Sequence, residues 1–315
     1  MEEINTGEEV KIIMTFDITL IFFSILVPSL GYSVPLILAG TAEVILERSG
    51  VINIGMEGLM LISAFVAAAI AYTSGSLILG LLSALGIGLI FAIIYSFLIL
   101  SLSADQIIAG IGLYLLGTGA SVLGLYAVFH AAIMPFALPE TLPGIQVYTY
   151  GKISYLFFVS VAVSIAAYLF LFKTKAGLVV RAIGESPEAA DAAGTSISRV
   201  RFAIIIIDML LVSLAGAYLS IDLNPRFVQG MTNGTGFIAL AMAAFANWNP
   251  LLALFGGILF GFTEALPLWL SVVIGVSYPY QFTNMIPFIA VIVVLAGVIR
   301  RVRAPAAVGR IFKRT

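Results

Sequence analysis

An apolar chain of this kind makes its few polar residues the first place to look for chemistry. Of 315 residues, 61% are hydrophobic and only 10% charged. A polar group at membrane depth is costly unless it faces a bundle interior, a partner or a water-filled cavity. Glu43, Asn53, Glu57, Asn247 and Glu264 are therefore candidates for a translocation pathway. Asn53 offers a donor and an acceptor to a sugar or a base edge. It could equally satisfy a broken backbone together with Glu57, or Glu57 could pair with Arg48. Glu264 is the only charge between Arg226 and Arg300, beside a Gly257-x3-Gly261 packing motif, and suits either cargo or a neighbouring helix. Asn247 and Asn249 suit the pathway or the cap of a half-helix. Asp105 reads as a helix N-terminal residue at the cytoplasmic rim.

Other chemistries are poorly supplied. The chain has no cysteine and one histidine, His130, so thiolate and multi-histidine metal sites are excluded and no metal site is expected. His130 itself reads as interfacial. The net charge of −1 offers no basic face for nucleic acid. Gly151-Lys152 is followed by Ile153, and no upstream glycine completes a P-loop, so the chain binds no ATP of its own. One histidine and no recognisable paired carboxylates give no basis for an intramembrane enzyme.

The elements that must position these residues are membrane helices. About 20 apolar residues cross the hydrocarbon core. Such runs recur near 16–46, 52–72, 77–101, 106–130, 153–172, 202–221, 237–248, 251–270 and 282–299, which predicts an all-α polytopic bundle of about nine spans. The first is interrupted by Pro28, Gly31, Pro35 and Gly40, so one broken helix or a helix plus half-helix is expected. The seventh is short and could be lengthened from Phe227. Gly50, Gly55 and Gly58 permit a broken helix or re-entrant turn over 49–58. Trp248, Trp269, Tyr278 and Tyr280 lie near span ends, where an aromatic belt forms whatever the cargo.

If the spans alternate and the connection 173–201 is cytoplasmic, Arg48, Lys173, Lys175, Arg181, Arg199, Arg201, Arg300, Arg301, Arg303, Arg310, Lys313 and Arg314 lie inside. Only Lys11, Lys152 and Arg226 lie outside, the bias that sets topology, so the N-terminus is predicted outside and the C-terminus in the cytoplasm. No connection is long enough to hold its own core, so residues 1–315 are expected to form one membrane domain. Residues 1–15 are expected as an exposed acidic tail ahead of the first retained span, and 300–315 as a basic cytoplasmic tail. No internal repeat is evident in the residues.

The connection 173–201 is polar and rich in alanine. Ser186 suits an N-cap, Pro187 the first helical position, Glu188 the first turn and Gly194 the left-handed residue after the end. A two-turn helix over 187–193 is predicted, with small residues that allow another surface to approach closely.

This segment carries a resemblance. Glu188-Ala189-Ala190-Asp191-Ala192-Ala193-Gly194 resembles the EAA-x3-G loop of ABC transporter permeases, whose coupling helix sits in a cleft of the ATP-binding subunit. Ile204 keeps the older consensus that follows, but Ile206 and Ile207 stand where Leu and Pro are expected, which argues against the maltose-type subgroup. Glu47 to Gly58 (ERSGVINIGMEG) is similar to a signature of the branched-chain amino acid, simple sugar and nucleoside permease group, and within it of nucleoside-type permeases. Gly234 to Ala241 running into Asn247-Trp248-Asn249-Pro250, and Arg181-Ala182-Ile183-Gly184-Glu185, add to it. The resemblance implies a permease subunit of an ABC importer in the plasma membrane, moving nucleosides or, as an alternative, simple sugars. It implies coupling through Arg181, Gly184, Glu185, Pro187, Glu188, Ala189, Ala190, Ala193 and Gly194. It also implies a second related permease, an ABC ATP-binding subunit holding ATP and Mg, and an extracytoplasmic substrate-binding lipoprotein. A rival from another class is an ion- or proton-coupled secondary transporter using Glu43, Glu57 and Glu264.

Overall fold

The computed structural model describes residues 6–147, 151–273, 285–298 and 303–310. Within them the chain is almost wholly helical. The helices α1 (Thr6–Glu47), α2 (Met56–Ser74), α3 (Leu77–Ser96) and α4 (Gln106–Phe129) come first. A short ribbon of β1 (Gly144–Gln146) and β2 (Lys152–Ser154) leads into α5 (Tyr155–Lys173). Two shorter helices follow, α6 (Lys175–Glu185) and α7 (Pro187–Ala192). The chain returns through α8 (Ile197–Tyr218), α9 (Thr235–Phe245), α10 (Pro250–Val273) and α11 (Ile286–Val298). α3 and α8 each end in a π-helical turn, at Phe97–Ser101 and Leu219–Leu223.

Among the described residues seven helices are long and apolar enough to cross a membrane. Of the two remaining apolar segments, α9 has 11 residues and the described part of α11 has 13. At 1.5 Å per residue α9 reaches about 16 Å, half a hydrocarbon core. It is not lengthened from Phe227, because Gly230, Asn233 and Gly234 take left-handed backbone (φ 71°, 45° and 83°) and stop any helix there.

α1 departs from expectation in the other direction: it is one continuous helix through Pro28 and Pro35. The Ser29 and Ser33 hydroxyls donate back to the carbonyls of Ile25 and Leu30, polar support of the kind that lets a membrane helix carry proline. Gly40 serves packing, since a Cβ there would fall 2.0 Å from Met242 Cε. The described helix reaches back to Thr6, so residues 6–15, expected as a tail ahead of the first span, are helical, and the residues before Thr6 lie outside the described ones. Thr6 followed by Glu8 and Glu9 is a helix-start pattern that the acidic character of this stretch concealed.

α2 is the axis of the core, packed against α3, α4 and α8, while α1 packs against α10, α8, α9 and α5. Glycines let α2 and α4 meet backbone to backbone: a Cβ on Gly58 would lie 2.4 Å from the Tyr114 carbonyl, and one on Gly117 would lie 2.3 Å from that of Gly58. Outer faces of α3, α4 and α5 expose Leu82, Ile93, Ile108, Leu115, Leu123 and Phe158, as lipid contact requires. Lys152 pairs with Asp222 at 2.5 Å, tying the ribbon to the π-helical turn that ends α8.

Candidate functional site

The first cluster is built on the turn between α1 and α2. Asn53 is fully buried and uses each of its polar groups. Its N–H donates to Glu43 Oε1 (3.0 Å), its Nδ2 donates to Asp208 Oδ2 (2.8 Å), and its Oδ1 accepts from the Gly55 N–H (3.0 Å). The Tyr95 hydroxyl donates to the Ile52 carbonyl. Gln106 Oε1 accepts from the Ile52 N–H at 3.0 Å. Thus 51–55 is irregular backbone inside protein, each turn of it answered by a side chain from α1, α3, α4 or α8. Asp208 was missed in the sequence, although it is the only charge inside the 202–221 run, a sufficient signal in a membrane helix.

The second cluster is one turn further along. Glu57 is 5% exposed, and its carboxylate sits at the N-terminus of α9. Oε1 accepts from the Thr232 hydroxyl (2.6 Å) and the Gly234 N–H (2.8 Å), and Oε2 accepts from the Gly236 N–H (2.7 Å). A half-helix that starts inside the protein leaves its first N–H groups unpaired and its positive dipole end bare; Glu57 answers both. Glycine at 236 is required for this approach, since a Cβ there would lie 2.7 Å from the Glu57 backbone.

The third assembly lies in the connection between α5 and α8. Ser186 caps α7, its Oγ accepting from the Ala189 N–H at 3.4 Å, and Gly194 takes φ 85° after the helix ends. α6, absent from the sequence reading, precedes it. Its buried residues Gly177, Val180, Ile183 and Gly184 recur at helical spacing, a signal masked by the flanking charges. The expected open alanine face is half corrected. Glu185, Glu188, Ala189, Ala192, Ala193 and Gly194 are exposed, but Pro187 and Ala190 are buried, and Ala190 packs with Ile183 and Ile197. Such a short helix is held only if one side contributes to a core.

α6 reaches the membrane bundle through Gly184 and Arg181. A Cβ at 184 would lie 2.2 Å from the Arg48 carbonyl, and the guanidinium groups of Arg48 and Arg181 both lie over the Phe172 ring, at 5.7 and 5.1 Å. Arg48 Nε donates to the Trp248 carbonyl (2.9 Å) and its Nη2 to that of Asn247 (3.3 Å). Burial lowers the Arg48 pKa, with Glu185 opposing and Arg181 reinforcing the shift. The basic tail is not free where described: the Ala307 N–H donates to the Gly184 carbonyl (2.8 Å), and Asn247 Oδ1 accepts from the Arg303 N–H (3.2 Å).

The structure therefore brings Glu43 and Asn53 together and sets Glu57 beside them, but places Asn247 just past the C-terminal end of α9. Glu264 is half-buried on α10. Its neighbour Gly261 packs at Ser33 of α1, ten residues and about 15 Å of helix from Glu43. Asp105 caps α4, accepting from the N–H groups of Ile107 and Ile108, and Asn249 Oδ1 accepts from the Leu251 N–H at the start of α10. His130 ends α4 in a left-handed conformation (φ 52°). Trp248 is no belt residue: it is 4% exposed and its Nε1 donates to Glu47 Oε2 at 2.5 Å. Trp269 Nε1 donates to Ser24 of α1 (2.8 Å), while Tyr278 and Tyr280 lie outside the described residues.

Long apolar helices, a half-helix anchored in the interior and a capped helix pair on the charged side define a multi-pass membrane transport protein. Residues 25–300 match the family described as branched-chain amino acid transport system / permease component, and the chain belongs to it. It is 33% identical to the guanosine ABC transporter permease protein NupQ of Bacillus subtilis over 305 residues, 91% of this chain and 95% of that one. It is 30% identical to the nucleoside ABC transporter permease protein NupC of Lactococcus lactis, covering 88% and 93%. A putative glucose ABC transporter permease protein, TsgC13 of Haloferax volcanii, is 34% identical over 74% of this chain and 73% of its own length. No solved structure matches the chain.

Proposed function

We propose that the chain is the transmembrane permease subunit of an ABC importer of nucleosides, driven by a separate ATPase. The observation that carries the reading is full-length similarity to two permeases named for guanosine and nucleoside transport. The exposed face of α7 adds a means of coupling. In this reading an ABC ATP-binding subunit, holding ATP and Mg, docks on Glu188, Ala189, Ala193 and Gly194, with Glu185 on the adjoining rim. Differential affinity of the nucleotide states for inward-facing and outward-facing arrangements does the work. Motion of α7 passes to α6 and, through Gly184 and Arg181, to Arg48 at the end of α1 and to the α9–α10 turn. A second, related permease completes the membrane part, and an extracytoplasmic lipoprotein delivers cargo to the outer face. The N-terminus lies outside and the C-terminus inside.

Of the pathway candidates, we assign Glu43, Asn53 and Glu57 to holding the interior backbone. Asn247 joins the inner turn to the tail. Glu264, half-buried in an apolar span, is retained as the residue facing cargo.

Simple-sugar transport is the second reading, favoured by the similarity to the permease named for glucose. Affinity purification of the tagged chain from native membranes, followed by mass spectrometry and ATP-dependent uptake assays with nucleosides and glucose, tests both. Co-purification of a P-loop ATPase and a second permease, with uptake of nucleosides and not glucose, is the expected result. Recovery of this chain alone, with uptake driven by an ion gradient, contradicts it.

A further inference from the structure

The non-helical segment ahead of α9 leaves a polar side chain deep in the bundle with nothing to bind. Asn247, just past the end of α9, bonds Arg48 and Arg303 at the end of the bundle that carries α6 and α7. The first residues of α9 therefore lie about 16 Å further in. α4 gives a similar depth. Its first residue, Gln106, donates to the Arg310 carbonyl in the tail that bonds Gly184, and Tyr114 stands about 12 Å along the helix. Tyr114 packs edge-on against Phe237 of α9, with ring centroids 5.6 Å apart. Asn233 and Phe237 thus lie near the middle of a hydrocarbon core about 30 Å thick.

At that depth Asn233 is exposed, on left-handed backbone. Non-helical backbone and a bare amide do not face lipid; they are tolerated where they line a water-filled cavity or meet another protein surface. The polar groups on either side are engaged. The Thr232 hydroxyl and the Gly234 N–H donate to Glu57, and the Thr235 hydroxyl donates to the Thr232 carbonyl. The Asn233 side chain makes no hydrogen bond among the described residues.

Two aromatic rings stand next to it. Phe237, one turn along α9, and Phe288 of α11 are each 40% exposed. Phe288 lies against Gly234, where a Cβ would come within 3.1 Å of its ring. An open amide beside exposed rings fits a nucleobase, whose face stacks and whose edge takes a donor and an acceptor together. A hexose carries hydroxyls all round, and these rings would leave most of them unpaired.

Building on the reading as a nucleoside importer, we propose that Asn233, Phe237 and Phe288 form the mid-membrane cargo contact. Asn233 bonds the edge of the base and the rings stack on its face. Glu57 holds the backbone that presents them.

The chain has no cysteine, so one introduced thiol is a unique probe of this surface. In the assembled transporter, Phe237→Cys is treated with a charged, water-soluble methanethiosulfonate and the modification is read on this chain by mass. Leu115→Cys is the lipid-facing control, at similar depth on α4 and 62% exposed. Phe237→Cys should react, more slowly during ATP-driven turnover with guanosine and not with glucose, and Leu115→Cys should not react. Two further variants read transport: Asn233→Gly keeps the left-handed backbone, and Phe288→Leu keeps apolar volume. Each should lower guanosine uptake at least about fivefold, the low end of what one base contact contributes, with an unchanged melt and ATP hydrolysis retained. An unreactive Phe237→Cys, reaction that guanosine does not slow, or full guanosine uptake by both further variants overturns the proposal. A wild type that carries no nucleoside defeats the importer reading as well, and shows it before any variant is made.

Discussion

The interior around Glu57 and the short helix α7 use the same few residue types to opposite ends. In the interior, Glu57 is buried and its two oxygens accept three hydrogen bonds from one short segment, Thr232 to Gly236. At α7, Glu188 and Ala189 are exposed and Ser186 caps its own helix three residues away. One region uses its buried carboxylate to hold non-helical backbone at the start of α9. The other keeps its acids and small residues outward and relies on a local cap. Removing a side chain should therefore damage the fold in the first region and leave it intact in the second.

Five substitutions test that contrast. The largest effect is expected from Glu57→Ala, which strands the first N–H groups of α9 and should cost about 3 kcal/mol or more, since hydrogen bonds to a buried charge are each worth about 1.5–3 kcal/mol. A lowered thermal midpoint of the purified chain would register it, and Glu57→Gln, which keeps one acceptor oxygen, should recover part of the loss. Gly58→Val comes next, at about 1–3 kcal/mol for overpacking against Tyr114, visible in the same melt. Ser186→Ala removes the α7 cap, worth about 1 kcal/mol, and should speed hydrogen exchange in 187–192 while the bundle is unaffected. Ala189→Arg should change stability by less than about 0.5 kcal/mol, as exposed surface substitutions do. A melt lowered more by Ala189→Arg than by Glu57→Ala would reverse the contrast.

Much of the second region was legible in the sequence because its signals are local. Ser186, Pro187 and Gly194 announce the start and stop of α7 within nine residues, and the helix runs from Pro187 to Ala192 with Gly194 left-handed. What it packs against was not legible: Ala190 turns inward onto Ile183 and Ile197, so bulk introduced there would test this chain's own packing as well as docking. In the interior, Glu43, Asn53 and Glu57 stood out as polar residues in an apolar chain, but their partners lie far along it. Glu57 meets Thr232 across 175 residues and Asn53 meets Asp208 across 155, distances over which spacing carries no information. The half-length of α9 was visible in its short apolar run. The anchor that makes such a helix tolerable was not, because it comes from another element. Proline misled at α1, where packing by α10, α8, α9 and α5 holds one continuous helix together.

The most direct test of the account is ATP-dependent nucleoside uptake into proteoliposomes that contain the assembled transporter, comparing wild type with Ala189→Arg. The account predicts uptake that requires ATP in the wild type. In the variant it predicts normal insertion and an unchanged melt, with uptake and ATPase recovery both falling at least about tenfold, the loss of roughly 1.4 kcal/mol or more of docking energy. Full uptake by Ala189→Arg, or wild-type uptake that proceeds on an ion gradient without ATP, would contradict it.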